Sequence, residues 1–400
     1  MVLWVEQRQI TTLHRIWPFV YATILLALIG WLNFITADDR QYSRLTEAFL
    51  AGQLDLLPRP GNNWADTAPF NGHYYSALSP LPAVIFIPLV WAGIFHQGIV
   101  TFFGSLAVFF QCFRLARIFH YSYDEGCWFA LAFCFGTSFV GVAAIATSNH
   151  LTHVLSVILL FLAINEYEKK SRLWLIGGLI GLAMATRVPT GLNIISFVLI
   201  LCFGVGTFRE KVIRLVKLLV PFCAIAGVLA VYNFARFQNP LESGYSFQVN
   251  GFGIPYSMWD VPGNTPGPAV SLSNIPNHLW ISLAGLPSFR GIGTSIFLIS
   301  PFLGYLLRVP HWDLTNKLIA ISTLPVLLLD LAFRSTGFEQ MGYRFSLDFF
   351  PFLFWLLMRS RINLTGKFRG LIFLATVIDL ILTFYHMATI SLRRALDTVS

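Results

Sequence analysis

Charge is scarce in this 400-residue chain: only 12% of its residues are Asp, Glu, Lys or Arg, against 56% hydrophobic, and its mean hydropathy is +0.67. That leaves too little polar surface to cover a soluble globule, so the bilayer is the expected solvent. The five cysteines, Cys112, Cys127, Cys134, Cys202 and Cys223, form no CxxC and no Cys/His cluster. All fall in or beside apolar runs, which argues against a disulfide framework and against a structural zinc site. Fixed-period repeats and low-complexity tracts are absent, and no stretch is left over for a large soluble domain. Acidic residues are outnumbered, 19 to 27, for a net charge of +8 and a pI near 9.4. Basic loops anchored against an anionic inner leaflet account for that balance without a nucleic-acid partner.

What the chain has in quantity is apolar runs near the ~20 residues that cross a hydrocarbon core. Eleven spans are expected, at 17–36, 99–118, 126–145, 151–165, 173–186, 192–208, 218–234, 292–307, 318–333, 345–358 and 371–386. The short ones run on into interfacial Trp, Tyr and Arg. The expected fold is therefore an all-α polytopic membrane protein, a single transmembrane domain over 1–400. Segment 81–95 is apolar but short, and Pro80, Pro82 and Pro88 punctuate it. Whether it crosses fixes the side of every later loop, and the Lys/Arg bias decides. If it dips in and returns, the inner side holds Arg8 and Arg15; Arg114 and Arg117; Lys169, Lys170 and Arg172; Arg209, Lys211, Arg214 and Lys217; Arg308 and Lys317; and Arg359, Arg361, Lys367 and Arg369. These are most of the basic residues, on short segments. A full crossing would turn nearly all of those loops outward. The segment is accordingly read as a re-entrant or interfacial helix, with the N-terminus cytoplasmic and the C-terminus outside. The N-terminal basic stretch and apolar run could be a signal peptide, but the run is unbroken up to Asp38, so an uncleaved first span is expected. Asn363-Leu364-Thr365 fits a glycosylation acceptor yet lies on an expected inner loop.

Two outer segments are long, 37–95 and 235–291, and long loops without a core of their own are usually functional. In the first, Tyr42, Leu45, Ala48, Phe49 and Leu50 alternate at helical spacing with Arg40, Arg44, Glu47 and Gln53. This pattern predicts an amphipathic helix on the outer membrane surface, ended by Gly52 and Pro58. The second is rich in Gly, Pro, Asn and aromatics, a composition suited to a lid of turns. The asymmetric placement of the two loops gives no sign of a transporter-type inverted repeat.

Five groups could carry chemistry. Asp38 and Asp39 follow the first span. Two carboxylates at the mouth of a span are costly to desolvate together, so one with a raised pKa could act as a base or bind a metal; the plain alternative is a helix end in water. Arg187, Arg290 and Arg344 stand alone at membrane boundaries on the side where arginine is scarce. An arginine without a nearby carboxylate needs an anion, and phosphate accepts its planar fork; snorkelling to lipid headgroups is the alternative. In the stretch His73-Tyr74-Tyr75-Ser76, histidine and tyrosine could orient a sugar, or could belong to the interfacial belt. Asn149, His150 and His153 at an outer span end read as structural. Asp330, Asp348 and Asp379 should face protein, with Asp330 and Asp348 as relay groups in a transporter or as packing partners of Ser and Thr.

In order along the chain, several stretches resemble the GT-C superfamily of membrane glycosyltransferases, especially bacterial relatives of the protein mannosyltransferases and aminoarabinose transferases. They are the acidic pair leading into Arg40-Gln41-Tyr42-Ser43-Arg44-Leu45, then Asn71-Gly72-His73-Tyr74-Tyr75-Ser76 running into Ser79-Pro80-Leu81-Pro82. Farther on come Thr186-Arg187-Val188-Pro189-Thr190-Gly191, Ser288-Phe289-Arg290-Gly291 with Ile299-Ser300-Pro301, and Gly342-Tyr343-Arg344-Phe345. Each is short, and it is their common order that carries the likeness. The resemblance implies an aspartate base at the start of the first outer loop, Asp39 or Asp38, and a donor sugar on a polyprenyl phosphate. With such a donor, the lone arginines Arg187, Arg344 and Arg290, with Tyr343, become the candidates for its phosphate and His73 and Tyr74 those for the sugar or acceptor, the acceptor being a glycan, lipid or protein outside a bacterial cell (inner) membrane. A single displacement would invert the anomeric centre. Divalent metal use varies among such relatives, and the acidic pair alone does not establish it. No soluble C-terminal domain is expected after the last span, and the acceptor-recognition features of protein mannosyltransferases are not seen in these stretches. The rivals are a transporter or flippase of a lipid-linked or amphiphilic solute, with Asp330, Asp348 and Arg344 along its path, and a scaffold that binds membrane lipids.

Overall fold

The computed structural model describes residues 2–36, 39–57, 65–261, 263–287, 293–310, 312–337 and 340–397, with side chains described between 16 and 388. Helices dominate: α1 (Val2–Ile35), α2 (Gln41–Leu50), α3 (Leu81–Trp91), α4 (Gly98–Ile118), α5 (Tyr123–Phe135), α6 (Phe139–Ala144), α7 (Ser148–Lys169), α8 (Leu173–Met184), α9 (Ile194–Phe203), α10 (Phe208–Phe237), α11 (Ile275–Ala284), α12 (Ile296–Ile299), α13 (Leu314–Ala332), α14 (Phe350–Arg359) and α15 (Gly366–Asp397). A two-stranded antiparallel hairpin, β1 (Thr67–Phe70) and β2 (His73–Ser76), lies between α2 and α3. Among the described residues six helices are long and apolar enough to cross a membrane: Ile16–Ile35, Gly98–Ile118, Ser148–Lys169, Phe208–Phe237, Leu314–Ala332 and Gly366–Ala388. The polytopic all-α architecture expected from the sequence is the one the chain adopts.

The core forms around α5, whose residues from Gly126 to Phe135 are all buried, and around the inward face of α7. By contrast α10 presents Val212, Val216, Val220, Val228 and Val231 outward. It docks through α8, where a Cβ on Gly177 would lie 1.8 Å from the Leu218 carbonyl oxygen and one on Gly181 3.0 Å from Ile225. Small residues four apart let two backbones approach to this distance.

Contacts sort the chain ends of these helices into two groups. At one end Arg172 pairs with Glu166 at 2.7 Å, Arg359 with Asp313 at 3.0 Å and Arg369 with Asp124 at 3.1 Å, while the Trp355 indole donates to Glu168 at 2.6 Å. These belong to loops the charge bias assigned to the inner side. The other end gathers the exit of α1, the starts of α4 and α7, the exits of α8 and α13, and both long loops.

Three expectations are corrected. The helix predicted around Tyr42 is present, but its apolar face lies on protein, not on lipid. Tyr42 and Leu45 are fully buried in a cluster with Phe86 and Val90 of α3, Ala48 is fully buried as well, and the Thr46 hydroxyl donates to the Ala83 carbonyl at 2.7 Å. The reason is that α3 is apolar all round and offers a matching face. With 11 residues at about 1.5 Å each, α3 covers about half of a ~30 Å hydrocarbon core, the length of a segment that dips rather than crosses. The expected spans 126–145 and 292–307 are interrupted. The first breaks between α5 and α6, the second at Ser300, where α12 gives way to a 3-10 turn over Pro301–Arg308. The breaks face each other: the Ser300 hydroxyl donates to the Gly136 carbonyl at 2.7 Å, satisfying backbone freed inside the bundle. The second long loop is not all turns, because α11 closes it.

Candidate active site

After α1, the chain is fixed before it reaches the acidic pair. The Asn33 amide donates to the Ala143 carbonyl at 2.6 Å and the Thr36 hydroxyl accepts from the Ala146 N–H at 3.3 Å, so the exit of α1 rests on the end of α6. Asp38 lies outside the described residues. Asp39 meets the starts of three helices. Its Oδ1 accepts from the Gln41 N–H at 3.3 Å, the Gln97 amide at 2.8 Å, the Ser148 hydroxyl at 2.6 Å and the Ser148 N–H at 3.1 Å. Among the described residues its Oδ2 accepts only the Ser148 N–H, at 3.0 Å. Gln41 opens α2, Gln97 immediately precedes α4 and Ser148 opens α7. The positive ends of these helices favour an anion at their meeting point. Asp39 as a residue is exposed, although protein crowds its carboxylate. Burial pushes the carboxyl above its ordinary value, and the bonds from Ser148, Gln97 and Gln41 oppose that rise.

A second cluster is assembled by the 3-10 turn Arg344–Asp348. Asp348 is fully buried and takes Arg187 in a forked contact: Nε to Oδ1 at 2.8 Å and Nη2 to Oδ2 at 2.8 Å. His153 Nδ1 lies 3.4 Å from Asp348 Oδ1, and the buried Asp330 at the end of α13 is beside the same carboxylate. The premise that Arg187 lacks a carboxylate is thus corrected: its inward edge is neutralised by Asp348, 161 residues away in sequence, a partner that only the tertiary fold supplies. The side chain keeps 12% exposure. Phe345 brings the arginines together, with the Arg187 and Arg344 guanidinium carbons 5.2 and 5.7 Å from its ring centroid. Arg344 Nη1 is 3.4 Å from His150 Nε2. Tyr343 is buried against Phe345. Beside Arg344, a small cleft is also lined by His150, Gln340, Thr383 and His386.

The two clusters are joined by α7, which carries Ser148, His150 and His153, and by Tyr42 of α2, close enough to feel the charges of both Asp39 and Arg187. The second long loop closes over them. Asp66 accepts from the Gln248 amide at 3.0 Å and the Tyr256 hydroxyl at 2.9 Å, and its carbonyl accepts from the Gln41 side chain at 3.1 Å. Tyr245 of that loop lies within electrostatic reach of Arg187 and Arg344, and burial pushes its hydroxyl up, so it stays protonated.

The fold thus brings Arg187, Arg344 and Tyr343 together around Phe345, with Asp39 in a neighbouring cluster linked to them through Tyr42 and α7. It does not bring in His73, which sits exposed at the hairpin tip and pairs with Asp55 at 2.9 Å. Tyr74 is half-buried within the hairpin, opposite Pro69. Arg290 lies outside the described residues. Among the described residues no group of three or more His, Cys, Asp or Glu is placed to hold a metal ion. The sequence reading missed Gln97, Ser148, Asp66 and Tyr245. Only Ser148 left a signal, as part of the polar run Thr147-Ser148-Asn149 before an apolar helix.

No protein-family model matches the sequence, and no curated protein matches it. Among solved structures the chain is similar to "ArnT from Cupriavidus metallidurans bound to Undecaprenyl phosphate", at 13% identity and a TM-score of 0.49 over 88% of this chain and 61% of that one, so that it spans about three fifths of that structure's length.

Proposed function

We propose that this protein is a GT-C-type membrane glycosyltransferase that moves a sugar from a polyprenyl-phosphate donor to a hydroxyl acceptor on the extracytoplasmic side, with Asp39 as general base. The observation that carries the reading is the asymmetry of the Asp39 carboxylate: among the described residues Oδ1 has four donors while Oδ2 has one. An oxygen with lone pairs to spare, on an exposed residue whose carboxyl burial raises, suits proton abstraction near neutral pH. In the proposed reaction the acceptor O–H proton passes to Asp39 Oδ2. The acceptor oxygen forms a bond to the anomeric carbon as the bond from that carbon to the phosphate oxygen breaks. The electron pair leaves with the lipid phosphate, whose charge Arg187 and Arg344 offset. One displacement inverts the anomeric centre, and an NMR spectrum showing retention would refute that step. Asp348 supports Arg187 by neutralising its inward edge, so that the buried guanidinium is held in a fixed orientation.

The transporter reading places Asp330, Asp348 and Arg344 along a path. Counting against it, both Asp348 oxygens are already engaged by Arg187. Protein in nanodiscs, given a panel of polyprenyl-phosphate sugars and acceptor alcohols, should release lipid phosphate, and Asp39→Asn should abolish release. Solute movement that survives Asp39→Ala, without phosphate release, would favour the transporter.

A further inference from the structure

We propose that Gln97 is the positioning residue of this site, fixing Asp39 so that Oδ1 is held and Oδ2 faces the acceptor hydroxyl. The inference rests on the base role given to Asp39 above. Gln97 is fully buried directly before α4, and its carbonyl is tied to Thr101 through the N–H at 3.1 Å and the hydroxyl at 3.2 Å. Its amide can point only one way. Oε1 accepts from the Tyr42 N–H at 3.2 Å, which turns Nε2 to Asp39 Oδ1 at 2.8 Å; the Ser148 hydroxyl lies 2.8 Å from the same Oε1 and has one proton to share between it and Asp39 Oδ1. The flipped amide would set Oε1 against the carboxylate and Nε2 against the Tyr42 N–H, opposing like poles at both contacts.

Gln97 therefore touches the starts of α2 and α7 and Asp39 together, while standing at the start of α4. Rotation about the last torsion of Asp39 would exchange its two oxygens, and terminal torsions of this kind are broad. The Gln97 donor and the Ser148 hydroxyl make the two oxygens inequivalent. Losing the Gln97 donor loosens the carboxylate and removes a bond to its charged form, so turnover falls and the proton is held more tightly. Substrate contacts are untouched, so KM is expected to stay. The titratable groups near Asp39 in sequence or on the elements that meet it include Asp38 and Arg40 on either side of it, Tyr42, Arg44 and Glu47 of α2, His96 beside Gln97, and His150 and His153 of α7; none of them is altered in the test.

The decisive variant is Gln97→Glu, which keeps the shape and the acceptor for Tyr42 and Ser148 but loses the donor when ionised. Nanodisc-embedded wild type, Gln97→Glu, Gln97→Leu and Asp39→Asn are compared for lipid-phosphate release across pH, with thermal unfolding of each recorded. In Gln97→Glu, kcat is expected to drop on the order of 10–100-fold above neutral pH, with KM unchanged. It should recover as pH falls and one proton is shared between the two carboxyls, the reverse of the wild-type trend. Gln97→Leu, where it folds, should lose kcat at every pH and show its acid limb at higher pH than wild type. An inactive Asp39→Asn beside a Gln97→Glu with wild-type kcat and acid limb would overturn the positioning role and leave the base intact. A fully active Asp39→Asn would overturn the glycosyltransferase reading and this inference with it.

Discussion

Ser148 donates both its backbone N–H and its hydroxyl to Asp39, at 3.0 and 2.6 Å, across 109 residues of sequence. The carboxylate thereby takes the place of a capping side chain at the start of α7, where four N–H groups lack partners within the helix. Ser148→Ala keeps the N–H and loses the hydroxyl bond to a charged group, worth about 1.5–3 kcal/mol. Lipid-phosphate release should fall about tenfold or more, and its acid limb should move to higher pH.

The pH profile of the wild type follows from the same carboxylate. A base works ionised, so activity is lost as pH falls through the Asp39 value. Because burial raises that value, the loss should set in above the ~3.9 of an ordinary aspartate. A profile flat down to the ordinary carboxylate range would contradict the assignment.

Breaking the Arg187–Asp348 pair should be costly, because a fully buried carboxylate balances a largely buried guanidinium. Asp348→Ala is expected to destabilise the protein by about 3–5 kcal/mol, and a double change to Arg187→Met with Asp348→Leu by less than that single one. Thermal unfolding in a fixed detergent reads both, and an unshifted midpoint for Asp348→Ala would show that the pair carries no such energy.

The clamp at Asp66 should govern how firmly the second long loop lies over the site. Asp66→Ala removes the acceptor for both Gln248 and Tyr256. Proteolysis within residues 248–260 should speed up, with a several-fold higher KM for the donor and little change in folding. Tyr256→Phe, which loses one bond of the two, should fall between wild type and Asp66→Ala.

At the α8–α10 contact, Gly177→Leu would drive a side chain into the Leu218 carbonyl oxygen, an atom of the main chain that cannot turn aside. A loss of at least 2–3 kcal/mol is expected, the scale of overpacked interiors, with α10 detached before the core around α5 unfolds. Cysteine cross-linking between α8 and α10 measures that separation.

Much of the molecule was readable from sequence because its causes are local. Apolar length marks a spanning helix wherever it occurs, and the runs at 17–36 and 99–118 appear as helices for that reason. The left-handed Gly52 just beyond α2 was legible in the same way. The breaks in 126–145 and 292–307 were not, because hydropathy does not register a bent backbone whose freed carbonyl is met by Ser300 from another segment.

For the site the division falls between types and partners. Composition and order along the chain fixed that an aspartate follows the first span and that Arg187 and Arg344 stand at membrane boundaries. Sequence could not show that Arg187 has a carboxylate partner, because Asp348 reaches it only when α8 and the 344–348 turn pack together. Nor could it show why the two oxygens of Asp39 differ. That inequality arises where the starts of α2, α4 and α7 converge, and a hydrogen-bond donor such as Gln97 has no pattern in sequence until the fold sets it 2.8 Å from its acceptor.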